Sequence, residues 1–267
     1  MEHEVRNVRV RNRVGVSLLD YMENNTMYSF NSRIRYSEVD KNAELTLESL
    51  IDYFQDCSIF QTQDGPANMD YLDEKGIAWV LNSWQIDIFR YPKLCENVTI
   101  GTLPYYLRGP LGCRNFFMDT ADGERLAVAN SIWTLYDFVK GVPSRVTKEM
   151  LEAYPIDEKL PMDYEDRKII IPEEGTRTEG EDIVVRTHHL DTNNHVNNGQ
   201  YIRMAMDCLK DKEVHVKQLR AEYKKQARLG DVLHPVVNVS NLSDNIIYTV
   251  SLNDDENAAV CVVALKV

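Results

Sequence analysis

Residues 36–57 and 187–208 follow one plan in one register, and this internal repeat constrains the fold more than any other feature. Tyr36-Ser37-Glu38-Val39-Asp40-Lys41-Asn42-Ala43-Glu44-Leu45 aligns without a gap on Thr187-His188-His189-Leu190-Asp191-Thr192-Asn193-Asn194-His195-Val196. Asp40 meets Asp191, Asn42 meets Asn193 and Glu44 meets His195, and the register runs on to Asp56-Cys57 against Asp207-Cys208. Downstream, the segment from Asp87 to Glu96 resembles the segment from Glu222 to Asp231. Repeats this long are not solenoid units. They point to a duplicated domain in which only the second copy has an imidazole, with Asp40, Asn42 and Glu44 as the relic of a lost site.

Each copy opens with a helix pattern. Leu47, Leu50, Ile51, Phe54, Cys57 and Ser58 make a stripe at helical spacing over 46–60, with Thr46 as N-cap. Tyr201, Ile202, Ala205, Cys208 and Leu209 do the same over 196–210. Alternating or continuous apolar runs predict strands at 28–36, 79–91, 97–107, 113–120 and 125–138, then at 182–188, 214–226, 231–240, 245–252 and 258–267. Trp79, Trp84, Phe89, Tyr91, Phe116 and Phe117 are expected mostly in the core. One long helix followed by several antiparallel strands, twice over, is an α+β plan with helix and sheet segregated. Between the copies, residues 140–175 are acidic and broken by Gly141, Pro143, Pro155, Pro161 and Pro172, with one short helix at 147–154. They read as a surface connection. Residues 1–27, with Arg6, Arg9, Arg11 and Arg13, read as a solvated arm.

Composition narrows the function classes. A net charge of −12 and a pI of about 5.0 argue against nucleic acid as a partner. No apolar run is long enough to span a membrane, and the N-terminus lacks the apolar core of a signal peptide. Cys57, Cys95, Cys113, Cys208 and Cys261 lie far apart without a C-x-x-C pair, as expected of free thiols in a reducing cytoplasm.

The chemistry concentrates in residues 190–201, which hold Asp191, His195 and four asparagines, Asn193, Asn194, Asn197 and Asn198. Asn suits turns and helix N-caps. An acid and an imidazole thus sit beside a helix start at 196–198, whose N–H groups at Val196, Asn197 and Asn198 are candidates to hold an oxyanion. His195 can act as a base near neutral pH. His188 and His189 precede the loop, but adjacent histidines on a strand face opposite ways, so no metal site is expected.

The string Leu-Asp-x-Asn-x-His-Val-Asn-Asn-x-x-Tyr, followed by Glu222-Tyr223-Lys224-Lys225 and Gly230-Asp231, resembles the acyl-acyl carrier protein (acyl-ACP) thioesterases. Arg35-Tyr36-Ser37-Glu38-Val39-Asp40 extends the resemblance into the first half. It implies two tandem hot-dog domains, each a long helix wrapped by an antiparallel β-sheet. The first, 28–140, would house the acyl chain; 141–175 would be the linker and 176–267 the catalytic domain. It also implies hydrolysis of acyl-ACP to a free fatty acid in fatty acid biosynthesis, without a cofactor. Asp191, Asn193 and His195 map onto the family's active-site residues. Where the family has a further glutamate on the long second-half strand, this chain has Gln226, and an amide cannot take up a proton at pH 7. Lys224, Lys225 and Arg228 form a small basic cluster suited to the acidic carrier or its phosphopantetheine phosphate. The rivals are a thioesterase acting on acyl-CoA and a non-catalytic acyl-thioester binding protein, the latter favoured by Gln226. A homodimer is left open, since the duplication already supplies the pairing of hot-dog units.

Overall fold

The computed structural model describes residues 27–209, 214–242 and 245–267, so the arginine-rich arm lies outside the described residues. The first half runs through β1 (Tyr28–Arg33), α1 (Leu47–Asp64), α2 (Met69–Lys75), β2 (Ile77–Ile88), β3 (Asn97–Arg108), β4 (Leu111–Thr120) and β5 (Arg125–Asp137). A connecting segment holds β6 (Val142–Pro143) and α3 (Lys148–Ala153). The second half comprises β7 (Thr176–Glu179), β8 (Ile183–Val184), α4 (Asn198–Asp207), β9 (Gln218–Tyr223), β10 (Val232–Leu242), β11 (Asn245–Asn253) and β12 (Ala259–Lys266).

The strands form one antiparallel sheet in the order β1-β3-β4-β5-β2-β9-β12-β11-β10-β7, with β6 on β5 and β8 on β10. Outward from the centre, β2-β5-β4-β3-β1 on one side matches β9-β12-β11-β10-β7 on the other. The halves meet where β2 pairs with β9, from Ser83 opposite Glu222 to Asp87 opposite Gln218. This is the tandem hot-dog arrangement that the resemblance implies.

The helix stripe explains how α1 is placed. Thr46 caps it by accepting the Ser49 N–H at 3.2 Å. Leu47, Leu50, Ile51, Phe54 and Cys57 are all buried on the sheet. Phe54 packs on Trp84 and Phe116, with ring centroids 6.1 Å and 5.4 Å away. Helices α1 and α4 lie against each other, joined across the halves by Glu48 and Arg203 at 3.1 Å. Among the described residues no helix is long and apolar enough to cross a membrane.

Four sequence expectations are corrected. The strands expected at 28–36 and 182–188 end early and pass into single 3₁₀ turns, Tyr36–Glu38 and Thr187–His189. His188 and His189 therefore sit in a turn rather than on opposite strand faces, with the Arg186 N–H donating to His189 Nδ1 at 2.9 Å. The strand expected over 214–226 is confined to Gln218–Tyr223, because the N–H groups of Lys224 and Lys225 both turn to the Val260 carbonyl, at 2.9 Å and 3.2 Å. Phe89 is 64% exposed rather than core.

The acidic connection is more than a surface link. Residues on β strands alternate between faces, so Trp84 and Phe116 point to α1 while Gln85 and Asn115 point away. Gln85 Nε2 donates to the Asp163 carbonyl at 2.6 Å, and Asn115 Oδ1 accepts from the Leu160 N–H and the Tyr164 hydroxyl at 3.0 Å and 2.9 Å. Leu160 and Ile169 are buried, so this part of the segment straps the sheet's outer face, while Tyr154 is buried on the α1 side with its hydroxyl 3.0 Å from Thr62 Oγ1.

Phe54→Ala should cost about 3–5 kcal/mol in denaturant unfolding, the range for deleting a buried aromatic. Phe89→Ala, at an exposed site, should stay within about 0.5 kcal/mol.

Candidate functional site

The two repeat loops share one hydrogen-bonding frame. Asp191 Oδ1 accepts the N–H groups of Asn193 and His195 at 2.8 Å and 3.2 Å, and its own N–H donates to the His195 carbonyl at 2.8 Å. Asp40 Oδ1 accepts from Asn42 and Glu44 at 2.8 Å and 3.1 Å, and the Asp40 N–H donates to the Glu44 carbonyl at 2.8 Å. Asn194 and Ala43 occupy the same left-handed position, with φ of 60° and 59°. Asparagine tolerates that conformation; alanine is strained there. The loop exits also agree: the Val196 N–H donates to the Ala227 carbonyl at 3.0 Å, and the Leu45 N–H to the Pro92 carbonyl at 2.9 Å. Asp191 therefore shapes the loop before it does any chemistry.

Helix α4 starts directly after the loop. Asn197 is its N-cap, accepting the Gly199 N–H at 2.8 Å. Asn198 Nδ2 reaches across the halves to Gln55 Oε1 on α1 at 2.8 Å, and the Tyr223 hydroxyl donates to the Asn198 carbonyl at 3.1 Å. The Tyr201 hydroxyl accepts the Ala227 N–H at 2.9 Å, fixing the chain beyond β9.

A cavity of about 650 Å³ lies between α1 and the first-half sheet and reaches this loop. Asp191, Thr192, Asn193, Asn197 and Asn198 line its second-half end. Asp52, Gln55, Asp56 and Ile59 line it along one face of α1, and Trp79, Leu107 and Trp133 form apolar wall on the sheet side. Arg114 also lines it, its guanidinium over the rings of Phe116 and Tyr154 at 5.9 Å and 5.7 Å, and burial pulls its pKa down.

The residues singled out from the sequence divide into those on this cavity and those off it. Asp191, Asn193, Asn197 and Asn198 are on its wall; His195, Val196, Gln226, Lys224, Lys225 and Arg228 are not. His195 is half-buried at the end of the loop, and among the described residues its ring makes no hydrogen bond. The expectation that Val196 and Asn197 offer N–H groups to an oxyanion is corrected: Val196 is buried with its N–H on Ala227, and the Asn197 N–H is held by the His189 carbonyl at 2.9 Å. Gln226 is exposed beyond the end of β9, so it does not share a strand face with Glu222. The basic cluster is partly neutralised, Lys224 lying 3.5 Å from Glu222 and Lys225 2.6 Å from Asp254. His188 and His189 pack ring to ring at 4.1 Å, and burial, then His188, lowers the His189 pKa. No group of three metal-binding side chains occurs among the described residues. Cys57 faces inward, where burial pushes its thiol up to about 12 and makes it a poor nucleophile.

Sequence reasoning missed Asp52. Partial desolvation pushes its carboxyl up to about 6, with Asp56, Glu48 and Glu38 adding like charge. The available signal was a second, polar stripe on α1, Asp52, Gln55 and Asp56, beside the apolar one.

Fold and site together define a tandem hot-dog protein in which one polar loop, kept in the second half, faces one cavity in the first. Comparison with known proteins agrees. The N-terminal domain model of the acyl-ACP thioesterases matches residues 25–154 and their C-terminal domain model matches residues 173–264. A chloroplastic acyl-[acyl-carrier-protein] hydrolase of Cuphea viscosissima is 22% identical over 234 residues, 82% of this chain and 56% of its own. A Lactobacillus plantarum structure described as a candidate oleoyl thioesterase superposes with a TM-score of 0.82 at 25% identity, covering 91% of this chain and 96% of that one. A Bacteroides thetaiotaomicron acyl-ACP thioesterase structure gives 0.79 at 21% identity, covering 91% and 98%, and supports the fold. The chain belongs to the acyl-ACP thioesterase family. It spans little more than half the length of the curated relatives it matches.

Asp191→Ala should lower stability by about 1–2 kcal/mol, because two loop N–H groups lose their acceptor. Asp191→Asn keeps one carbonyl oxygen at that place and should cost well under half as much. Thermal unfolding of both variants at one pH checks the difference.

Proposed function

We propose that this chain hydrolyses acyl-ACP thioesters and releases free fatty acids, as part of fatty acid biosynthesis. The observation that carries this reading is the cavity with Asp191 and Asn193 at one end and Trp79, Leu107 and Trp133 along its wall. An acyl chain fits such an apolar wall, with the thioester left at the polar loop. Asn193 is assigned to hydrogen-bond the thioester carbonyl, Asp191 holds the loop, and His195 supplies an imidazole for proton transfer. Water attacks the carbonyl carbon, the C–S bond breaks, and the products are a carboxylate, a thiol and one proton. We assign 28–140 as the acyl-chain domain, 141–175 as the linker and 176–267 as the domain carrying the reactive loop. The two family models, over residues 25–154 and 173–264, support a division into two halves.

The carrier is read as ACP. Arg228, exposed beside the paired Lys224 and Lys225, is the element of the basic cluster best placed to meet an acidic partner. Acyl-CoA hydrolysis is the second reading, favoured by that partial neutralisation. The five free cysteines fit a reducing cytoplasm, whereas the plant relatives are chloroplastic.

Purified protein should turn over acyl-ACP with a kcat/KM well above that for acyl-CoA of the same chain length; turnover of acyl-CoA alone would assign the other carrier. His195→Ala should lower kcat by roughly 10²–10⁴-fold, the range for losing a positioned proton-transfer group. Glu44→Ala, in the repeat loop off the cavity, should leave kcat within about twofold. Equal losses in the two variants, with stability unchanged, would make the first loop a second working site.

A further inference from the structure

The near-twofold relation of the halves pairs Glu48 on α1 with Arg203 on α4, at 3.1 Å. In the repeat register Glu48 corresponds to Gly199, and Arg203 corresponds to Asp52. The symmetric place to the Glu48–Arg203 ion pair is therefore occupied by Asp52 and Gly199. Neither partner is basic, and one has no side chain. A Cβ built on Gly199 would stand 2.9 Å from Asp52 Oδ1, so only glycine lets this carboxylate approach the first turn of α4. The symmetry is broken at the end of the cavity that also holds Asp191, Asn193, Asn197 and Asn198.

We propose that Asp52 is the catalytic base of this enzyme: its carboxylate takes the proton from the water that attacks the thioester held at the Asp191–Asn193 loop. The proposal rests on the thioesterase reading above and assigns the role that exposed Gln226 cannot fill. In the first step a water oxygen bonds to the carbonyl carbon while its proton moves to Asp52, and the carbonyl electron pair moves onto its oxygen. In the second, that pair re-forms the carbonyl and the C–S bond breaks. The thiolate takes the proton from Asp52, which returns the carboxylate to its starting form. The remaining acid proton is lost to solvent, so the sum is thioester plus water giving carboxylate, thiol and one proton. His195 stands off the cavity wall and is assigned to relay the Asp52 proton to the thiolate, the transfer that His195→Ala would remove.

The surroundings suit a base that works near neutrality. Glu48 and Asp56 face Asp52 from its own helix and Glu38 from the turn before it. Tyr223 approaches from β9, its own hydroxyl held strongly protonated by burial. From α4 comes the Gly199 backbone, and the nearby cation Arg203 is engaged by Glu48. Asp191 lines the same cavity, with its Oδ1 occupied by backbone N–H groups. Partial desolvation, with Asp56, Glu48 and Glu38 adding like charge, raises the carboxyl to about 6, close to the pKa at which a base is both ionised and effective at pH 7. The same shift has a stability cost. A folded value above the unfolded one of about 3.9 means that stability falls as pH rises from about 4 through 6. Asp52→Asn removes the ionisation, so it should melt higher than wild type at pH 8 and converge with it near pH 4.

The test measures kcat, KM and the pH–rate profile on one acyl-ACP for wild type, Asp52→Asn and Asp52→Glu. The expected result is a kcat lowered about 100-fold or more in Asp52→Asn, with KM within about twofold and the acid limb near pH 6 gone. Asp52→Glu should keep the limb at reduced kcat. If Asp52→Asn retains wild-type kcat and its acid limb, the proposal is wrong while the thioesterase reading stands. If wild type turns over neither acyl-ACP nor acyl-CoA, both fall. The raised melting temperature of Asp52→Asn at pH 8 excludes misfolding as the cause of lost activity.

Discussion

The antiparallel pairing of β2 with β9 is the contact on which the rest of the molecule depends. A hot-dog half has an open sheet edge beside its long helix, and an unpaired edge is exposed to aggregation. Joining the two innermost strands closes both edges at once, from Ser83–Glu222 to Asp87–Gln218. The same junction brings α1 and α4 side by side and sets the loop of one half against the helix of the other. The Asn198–Gln55 hydrogen bond at 2.8 Å is the direct expression of that placement. The cavity at this junction takes residues from both halves, so neither half carries the site alone.

Duplication then allowed the two copies to diverge while the backbone stayed fixed. The loops keep the same internal backbone hydrogen bonds, down to a left-handed residue that alanine fills at a conformational cost in the first copy. What changed are the side chains that bear charge. Glu44 stands where the second copy has His195, and Gly199 stands where the first has Glu48. One half retains an ion pair at the helix crossing; the other has a carboxylate facing a space. A loss of stability at such a place is characteristic of sites kept for function.

Much of this was legible in the sequence because it rests on periodicity and turn chemistry, which are local. The stripe from Leu47 to Cys57, the strand series and the gapless register of the two loops were all visible there, and Thr46 and Asn197 act as N-caps. Asp191 and Asn193 could be read from their motif, since Asp and Asn two apart shape an Asx loop. What escaped depends on long-range geometry. The strand after Lys217 was overextended because nothing local announces that Lys224 and Lys225 share the Val260 carbonyl. The connection was read as a surface link because its buried contacts, such as Tyr164 on Asn115, lie far apart in sequence. Asp52 looked like any polar helix position, and its meaning emerges only once α4 lies beside it with a glycine at the crossing.

The central claim is that the duplicated fold carries one functional site, shared between the halves, with the first loop silent. Calorimetric titration with a non-hydrolysable acyl-pantetheine thioester analogue measures this most directly. The account predicts one bound analogue per chain. A stoichiometry of two per chain would contradict it, because the Asp40 loop would then serve a site of its own.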